Sequence, residues 1–145
     1  LDKLKEQTQY IYYNLMGEPL THPELPEFIR MAGEYGYKSI ITTNGTLLSR
    51  KGEELLSVGV HKVNLSIHSF EKESAEEHKK YISELAEFAK KAAERGTIVV
   101  FRLWNKGFDG DKDESALNVL RESIAGDWKE NPRGSSCKHS KTHGR

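Results

Sequence analysis

Four places in this 145-residue chain put chemically capable side chains where strand-like runs end. They are residues 17–18, 43–45, 66–68 and 102–105. Together they hold one carboxylate (Glu18), one guanidinium (Arg102), an amide (Asn44), a hydroxyl (Ser66) and an imidazole (His68). A carboxylate accepts hydrogen bonds from an ammonium, and an arginine clamps a carboxylate with two parallel donors. Such a set suits a zwitterionic or polyhydroxylated ligand. Gly17 lets backbone approach such a ligand closely, and Pro19 stiffens the turn. Taken singly, most of these residues have plainer roles. Glu18 can be a solvated turn residue, Asn44-Gly45 an ordinary turn, and His68 a hydrogen-bonded interior histidine. Arg102 resists that treatment, because an inward-facing arginine needs a counter-ion.

The elements that must position these residues alternate. Strand-like runs cover residues 10–15, 39–43, 62–68 and 97–104. Helical patterns fall between and after them. Residues 23–35 carry Leu25, Phe28, Ile29 and Ala32 at helical spacing, and Gly36 ends the run. Ser49 is placed to cap a helix over 49–56. Residues 73–95 form a long amphipathic helix with Ile82, Leu85, Phe88, Ala89 and Ala92 on one face, closed by Gly96. Residues 115–124 repeat the pattern with Leu117, Leu120 and Ile124. Strands begin roughly 25–35 residues apart, the spacing of right-handed crossover units. The expected class is α/β with a parallel sheet, whose working residues lie at the C-terminal strand ends.

The strand faces refine this. Val63, Leu65 and Ile67 share one face of their strand, and Asn64, Ser66 and His68 the other. Ile11, Tyr13 and Leu15 oppose Tyr12, Asn14, Met16 and Glu18. Arg102 and Trp104 also share a face. A parallel sheet covered by helices on both sides reads as continuous apolar runs. Polar inner positions point instead to (β/α) units of a partial TIM-type barrel lining a cavity. The plainer alternative is a doubly wound sheet with a few exposed polar positions.

Bulk composition narrows the function classes. Lysine plus arginine and aspartate plus glutamate number 22 each, so no nucleic-acid partner is expected. No apolar run approaches membrane-spanning length, so no membrane span is expected. A single cysteine, Cys137, excludes an internal disulfide and fits a cytoplasmic location.

The stretches "LMGEPLTHPEL", "ITTNGTLL", "VNLSIHSFE" and "VFRLWN", in this order and spacing, resemble the radical S-adenosylmethionine (radical SAM) superfamily. They are most similar to its GEPL-HP members of the SPASM-associated type. The resemblance covers roughly residues 10–105 and implies strands two to five of that family's partial barrel. It implies that Gly17, Glu18 and Pro19 bind the methionine ammonium of S-adenosylmethionine (SAM), with Met16 replacing a family glycine. It implies a ribose or carboxylate contact from Ser66 or His68, a carboxylate contact from Arg102, and Asn44 beside them. It also implies reductive SAM cleavage to a 5′-deoxyadenosyl radical by a [4Fe-4S] cluster, and an electron donor such as flavodoxin or ferredoxin. The substrate, a peptide or a small molecule, is left open. A degenerate module that binds SAM or another small ligand without catalysis is the alternative.

The chain departs from that pattern in two places. It contains no CxxxCxxC, so the cluster ligands are expected outside it, and the chain is expected to be a fragment. Residues 128–145 are polar and lack a hydrophobic period. The expected division is therefore a partial core over 1–127 and a structureless tail, or one foreign to the fold, over 128–145. Cys137, His139 and His143 have metal-binding side chains but no core to organise them, so no metal site is assigned. Asp109, Asp111 and Asp113 resemble the start of a calcium loop. Glu114 and Leu120 stand where glycine and glutamate are needed, so this acidic run reads as a solvated loop with Asp113 as a helix cap.

Overall fold

The computed structural model describes residues 6–14, 17–67, 74–103, 110–124, 128–131 and 136–139. Strand β1 (Tyr10–Tyr13) leads through a 3-10 turn (Pro19–Thr21) into helix α1 (Leu25–Glu34). Then come β2 (Lys38–Thr43), α2 (Leu48–Ser57), β3 (Lys62–Ile67), α3 (Ala75–Glu94), β4 (Ile98–Leu103) and α4 (Gly110–Ser123). Strands β1 to β4 lie side by side and parallel. The class is α/β with the open parallel sheet of a partial barrel, as the alternation of periods requires. Among the described residues no helix is long and apolar enough to cross a membrane.

Register assigns the faces, because paired residues of parallel strands point to the same side. Ile41 pairs with Val63, and Val63 with Val99; Leu65 pairs with Phe101. This face packs on Leu25 and Ile29 of α1, Leu55 of α2, Ile82, Leu85 and Ala92 of α3 and Leu120 of α4. Each large apolar side chain buried there contributes about 1.5–3 kcal/mol relative to exposure. The α3 face expected from the sequence is the one buried. On α1, however, Phe28 is 42 % exposed. Leu25, Ile29 and Ala32 fill the sheet-facing stripe, and the Phe28 ring leans on His22 instead.

Two helix starts differ from expectation. Helix α2 begins at Leu48 after Leu47, with no side-chain cap, so Ser49 lies inside the first turn. Its entry is set by the Asn44–Gly45 turn, which a capping rule does not see. Helix α4 begins at Gly110, which puts Asp111 and Asp113 within the helix rather than in a loop. In contrast, Ser74 caps α3 with a reciprocal Glu77 contact, a complete capping box.

The segment expected to lack structure holds two strands, β5 (Trp128–Asn131) and β6 (Ser136–His139). They pair antiparallel with each other, and β6 pairs antiparallel with β4. Pairing of this kind joins backbone donors and acceptors at an open edge and needs no hydrophobic period in the added strand.

Candidate functional site

The turn after β1 is built around Glu18. Gly17 has φ 106, a left-handed conformation that glycine adopts without strain. Among the described residues nothing lies within 4 Å of where a side chain at Gly17 would begin, so its requirement there is conformational. Glu18 is extended and caps the 3-10 turn, its Oε1 accepting from Leu20 N–H at 3.1 Å. Pro19 opens the turn, where a missing N–H costs nothing.

The Glu18 carboxylate then reaches the end of β2. Its Oε1 also accepts from the Thr43 hydroxyl at 2.6 Å, and its Oε2 from Asn44 N–H at 2.8 Å. An ionised carboxylate has about four acceptor positions. Three are used, two on Oε1 and one on Oε2, so the remaining position is on Oε2. The described residues thus fix the half-buried carboxylate and leave one lone pair for a further donor. Thr43 was within a predicted strand end but not a predicted site residue. Its outward-facing position hides its second role.

Asn44 makes the turn that its plainer reading allowed. Its Oδ1 accepts from Thr46 N–H at 2.9 Å and from the Thr46 hydroxyl at 2.7 Å, forming a local turn. The backbone, not the side chain, serves the site: N–H goes to Glu18 and the carbonyl accepts from the Tyr81 hydroxyl of α3. Gly45 follows with φ 77, and a Cβ there would stand 2.5 Å from Leu85 Cδ2. Its N–H donates to Thr43 Oγ1 at 3.0 Å. The mouth of β2 is therefore braced both by the β1 turn and by α3.

The inner sheet face supplies the rest. Ser66 is buried on β3 and pairs in register with Arg102 of β4, which is half-buried. The Arg102 side chain has no hydrogen-bond or ion-pair partner among the described residues. Asn64, two positions before Ser66, pairs in register with Thr42 and Val100. It was read from the sequence as an inner-face residue, not as a site residue. Ile40 and Val100, also on this face, are buried apolar residues. Thr42, Ser66 and Arg102 lie towards the C-terminal strand ends of this face, and Lys38 and Lys62 towards its opposite end. His68 lies outside the described residues, as do Met16, Trp104 and Asn105.

Burial pushes the Tyr13 phenol above its ordinary value, partly opposed by the Ser39 hydroxyl. Its O–H donates to the Phe28 carbonyl at 3.2 Å, which ties β1 to α1. A separate cavity of about 290 Å³ lies between α2 and α3, lined by Leu48, Gly52, Leu56, Glu84 and Phe88. These helices cover the outer sheet face, so this cavity is remote from Arg102.

The donor set fits SAM. An acceptor on Glu18 suits an ammonium, the guanidinium of Arg102, without a partner among the described residues, suits a carboxylate, and Ser66 with Asn64 offers polar contacts between strands. The set does not fit an iron–sulfur cluster, which takes several cysteine thiolates where this chain has Cys137 alone. Among the described residues no three metal-binding side chains cluster.

Comparison with known proteins identifies the family. A family profile described as the Radical SAM superfamily matches residues 2–121. GTP 3′,8-cyclase of Chlorobaculum tepidum is 44 % identical over 59 residues, covering 39 % of this chain and 18 % of the cyclase. The cyclase of Alkaliphilus oremlandii is 49 % identical over 55 residues, 37 % of this chain and 17 % of that protein. The cyclase of Aliarcobacter butzleri is 41 % identical over 63 residues, 41 % of this chain and 19 % of that protein. The chain thus aligns with less than a fifth of each of these relatives. The crystal structure of archaeal TYW1 superimposes with a TM-score of 0.51 at 12 % identity, covering 94 % of this chain and 58 % of that one. This is a likeness of fold. The profile match extends over most of the sequence, from before β1 into the last turn of α4, and on it the chain belongs to the radical SAM superfamily.

Proposed function

We propose that this chain is the SAM-binding part of a radical SAM enzyme core. The observation that supports it is the braced Glu18 carboxylate, with one acceptor position open, on the same sheet as an inner-face Arg102 that has no partner among the described residues. When bound and reduced by one electron from a [4Fe-4S] cluster, SAM supplies a 5′-deoxyadenosyl radical. Glu18 Oε2 takes the methionine ammonium, with Gly17 and Pro19 shaping the turn around it. Arg102 takes the carboxylate, and Ser66 contacts the ribose or the carboxylate, with His68 as the neighbouring candidate. Asn44 holds Glu18 through its backbone rather than touching SAM with its amide. The cluster ligands come from elsewhere in the protein, and flavodoxin or ferredoxin supplies the electron.

A second reading is a SAM-binding module without catalysis. The single cysteine favours it, since this chain brings no thiolate set of its own. Both readings need the same SAM contacts. Calorimetric titration of the chain with SAM tests them. Glu18→Ala and Arg102→Ala should each weaken binding about tenfold or more, the loss of one charge-assisted hydrogen bond or pair. Unchanged affinity in both variants would remove SAM from this site.

A further inference from the structure

Asn44–Gly45 is the single Asn-Gly step in the sequence. An asparagine before a glycine carries a reaction of its own. The glycine backbone nitrogen attacks the side-chain amide carbon, and no Cβ on the glycine obstructs the approach. Here the bond from Gly45 N to Asn44 Cγ would form and the Asn44 Cγ–Nδ2 bond would break. Nδ2 leaves as ammonia, taking the Gly45 amide proton. Water then opens the cyclic imide at either carbonyl. Residue 44 ends as aspartate, or as isoaspartate with the chain running through Cγ. Water is the sole co-reactant, and no oxidant or reductant enters.

The fold engages both reacting groups. Gly45 N–H, which must give up its proton, donates to Thr43 Oγ1 at 3.0 Å within a buried turn. The Asn44 amide must swing its carbon onto that nitrogen. Its Oδ1 is held instead on the next residue, by Thr46 N–H at 2.9 Å and the Thr46 hydroxyl at 2.7 Å. Ring closure removes the Gly45 donor outright and turns Oδ1 away from Thr46. Gly45 also has little room to move, because a Cβ there would stand 2.5 Å from Leu85 Cδ2. Reaction therefore requires a local opening of the turn.

We propose that Asn44–Gly45 is a latent deamidation site, latched by Thr43 and Thr46, whose reaction puts a carboxylate at the Glu18 brace. Residue 44 is the one whose N–H holds Glu18 Oε2 at 2.8 Å and whose carbonyl accepts from the Tyr81 hydroxyl. Aspartate adds a like charge beside Glu18. Isoaspartate does more, since the former Asn44 carbonyl becomes the pendant carboxylate and the chain gains one backbone carbon before Gly45. The bonds from Asn44 to Glu18 and Tyr81 and from Gly45 to Thr43 then no longer fit one turn. Deamidation would thus dismantle the brace whatever ligand Glu18 serves.

The test ages the whole chain in mildly alkaline buffer and follows residue 44 by peptide mapping, with the mass gain of an amide-to-acid exchange as the signal. The folded chain should react more than about tenfold slower than the same chain unfolded in guanidinium, since several hydrogen bonds must open first. Thr46→Ala, at an exposed position, should react roughly two- to tenfold faster than wild type, the range of one net hydrogen bond. Thr43→Val should be faster by a similar factor, and Thr43→Ser should stay near the wild-type rate. Gly36→Ala, which strains the backbone outside this turn, should also keep the wild-type rate. Equal rates in folded and unfolded chain would overturn the proposal. So would a slower Thr46→Ala, which would mean that Thr46 polarises the amide for attack. Acceleration by Gly36→Ala equal to that by Thr46→Ala would overturn it too, because protection would then belong to folding as a whole and not to the latch.

Discussion

The Glu18 carboxylate and the Thr43 hydroxyl, 25 positions apart, are joined by a 2.6 Å hydrogen bond. The same hydroxyl accepts from Gly45 N–H at 3.0 Å. One side chain therefore locks the turn after β1 to the turn after β2. Thr43→Val keeps the shape and removes both bonds. It should cost about 1–3 kcal/mol, because Glu18 loses a donor and a buried N–H loses its acceptor. Thr43→Ser should retain most of that stability. Urea unfolding of the three proteins measures this, and a valine variant with the wild-type midpoint would show that the brace carries no weight.

Glycine at position 45 answers two demands. Its φ of 77 disfavours other residues, and a Cβ would meet Leu85 Cδ2 at 2.5 Å. Gly36 has a similar φ of 79 but open space around it. Gly36→Ala should cost about 1–2 kcal/mol from backbone strain alone. Gly45→Ala should cost a further 1–3 kcal/mol, roughly, from crowding against α3. Thermal unfolding of both variants separates the terms. Equal losses would mean that Leu85 yields at no cost.

The Ser74 backbone N–H and hydroxyl, each 2.9 Å from Glu77 Oε2, hold the Glu77 carboxyl below its ordinary value. A carboxyl depressed in the folded chain gives stability that is fully present above its unfolded value. That stability is lost as pH falls through the folded value. The stability difference between wild type and Glu77→Gln should therefore be greatest near neutrality and shrink below pH about 4.5. Glu77 is exposed, so the effect is small. A difference that stays constant into acid would place the contribution in helix propensity rather than in the capping box.

With Cys137 as its one cysteine, the chain should not turn over by itself. Incubation with SAM, ferrous iron, sulfide and dithionite should give no 5′-deoxyadenosine above a protein-free control. Chromatography of the nucleoside products reads this out. Appreciable product would mean that the cluster is ligated without the expected thiolate set.

Much of the scaffold was legible in the sequence. Period-two alternation in residues 62–68 separated Val63, Leu65 and Ile67 from Asn64 and Ser66, and those are the two faces of β3. The spacing of Ile82, Leu85, Phe88, Ala89 and Ala92 marked the buried face of α3. These signals are local, because helix and strand each repeat their side-chain direction over a few residues. Helix starts were less legible. The Leu47 boundary of α2 follows from the preceding turn, and the strand pairing of β5 and β6 follows from an open backbone edge.

What the sequence by itself determined, then, was the order of elements, their buried faces, and the kinds of side chain delivered to the strand ends. Only the tertiary structure decided how those side chains are used. It made the Asn44 backbone a brace, recruited Thr43 to hold Glu18, and left Asn64 Oδ1 without a hydrogen-bond partner among the described residues. The reason is physical. Periodicity is set by neighbours along the chain, whereas a hydrogen bond between residues 18 and 43 depends on the register of two strands and the path of two turns. Neither is written in any short stretch of residues.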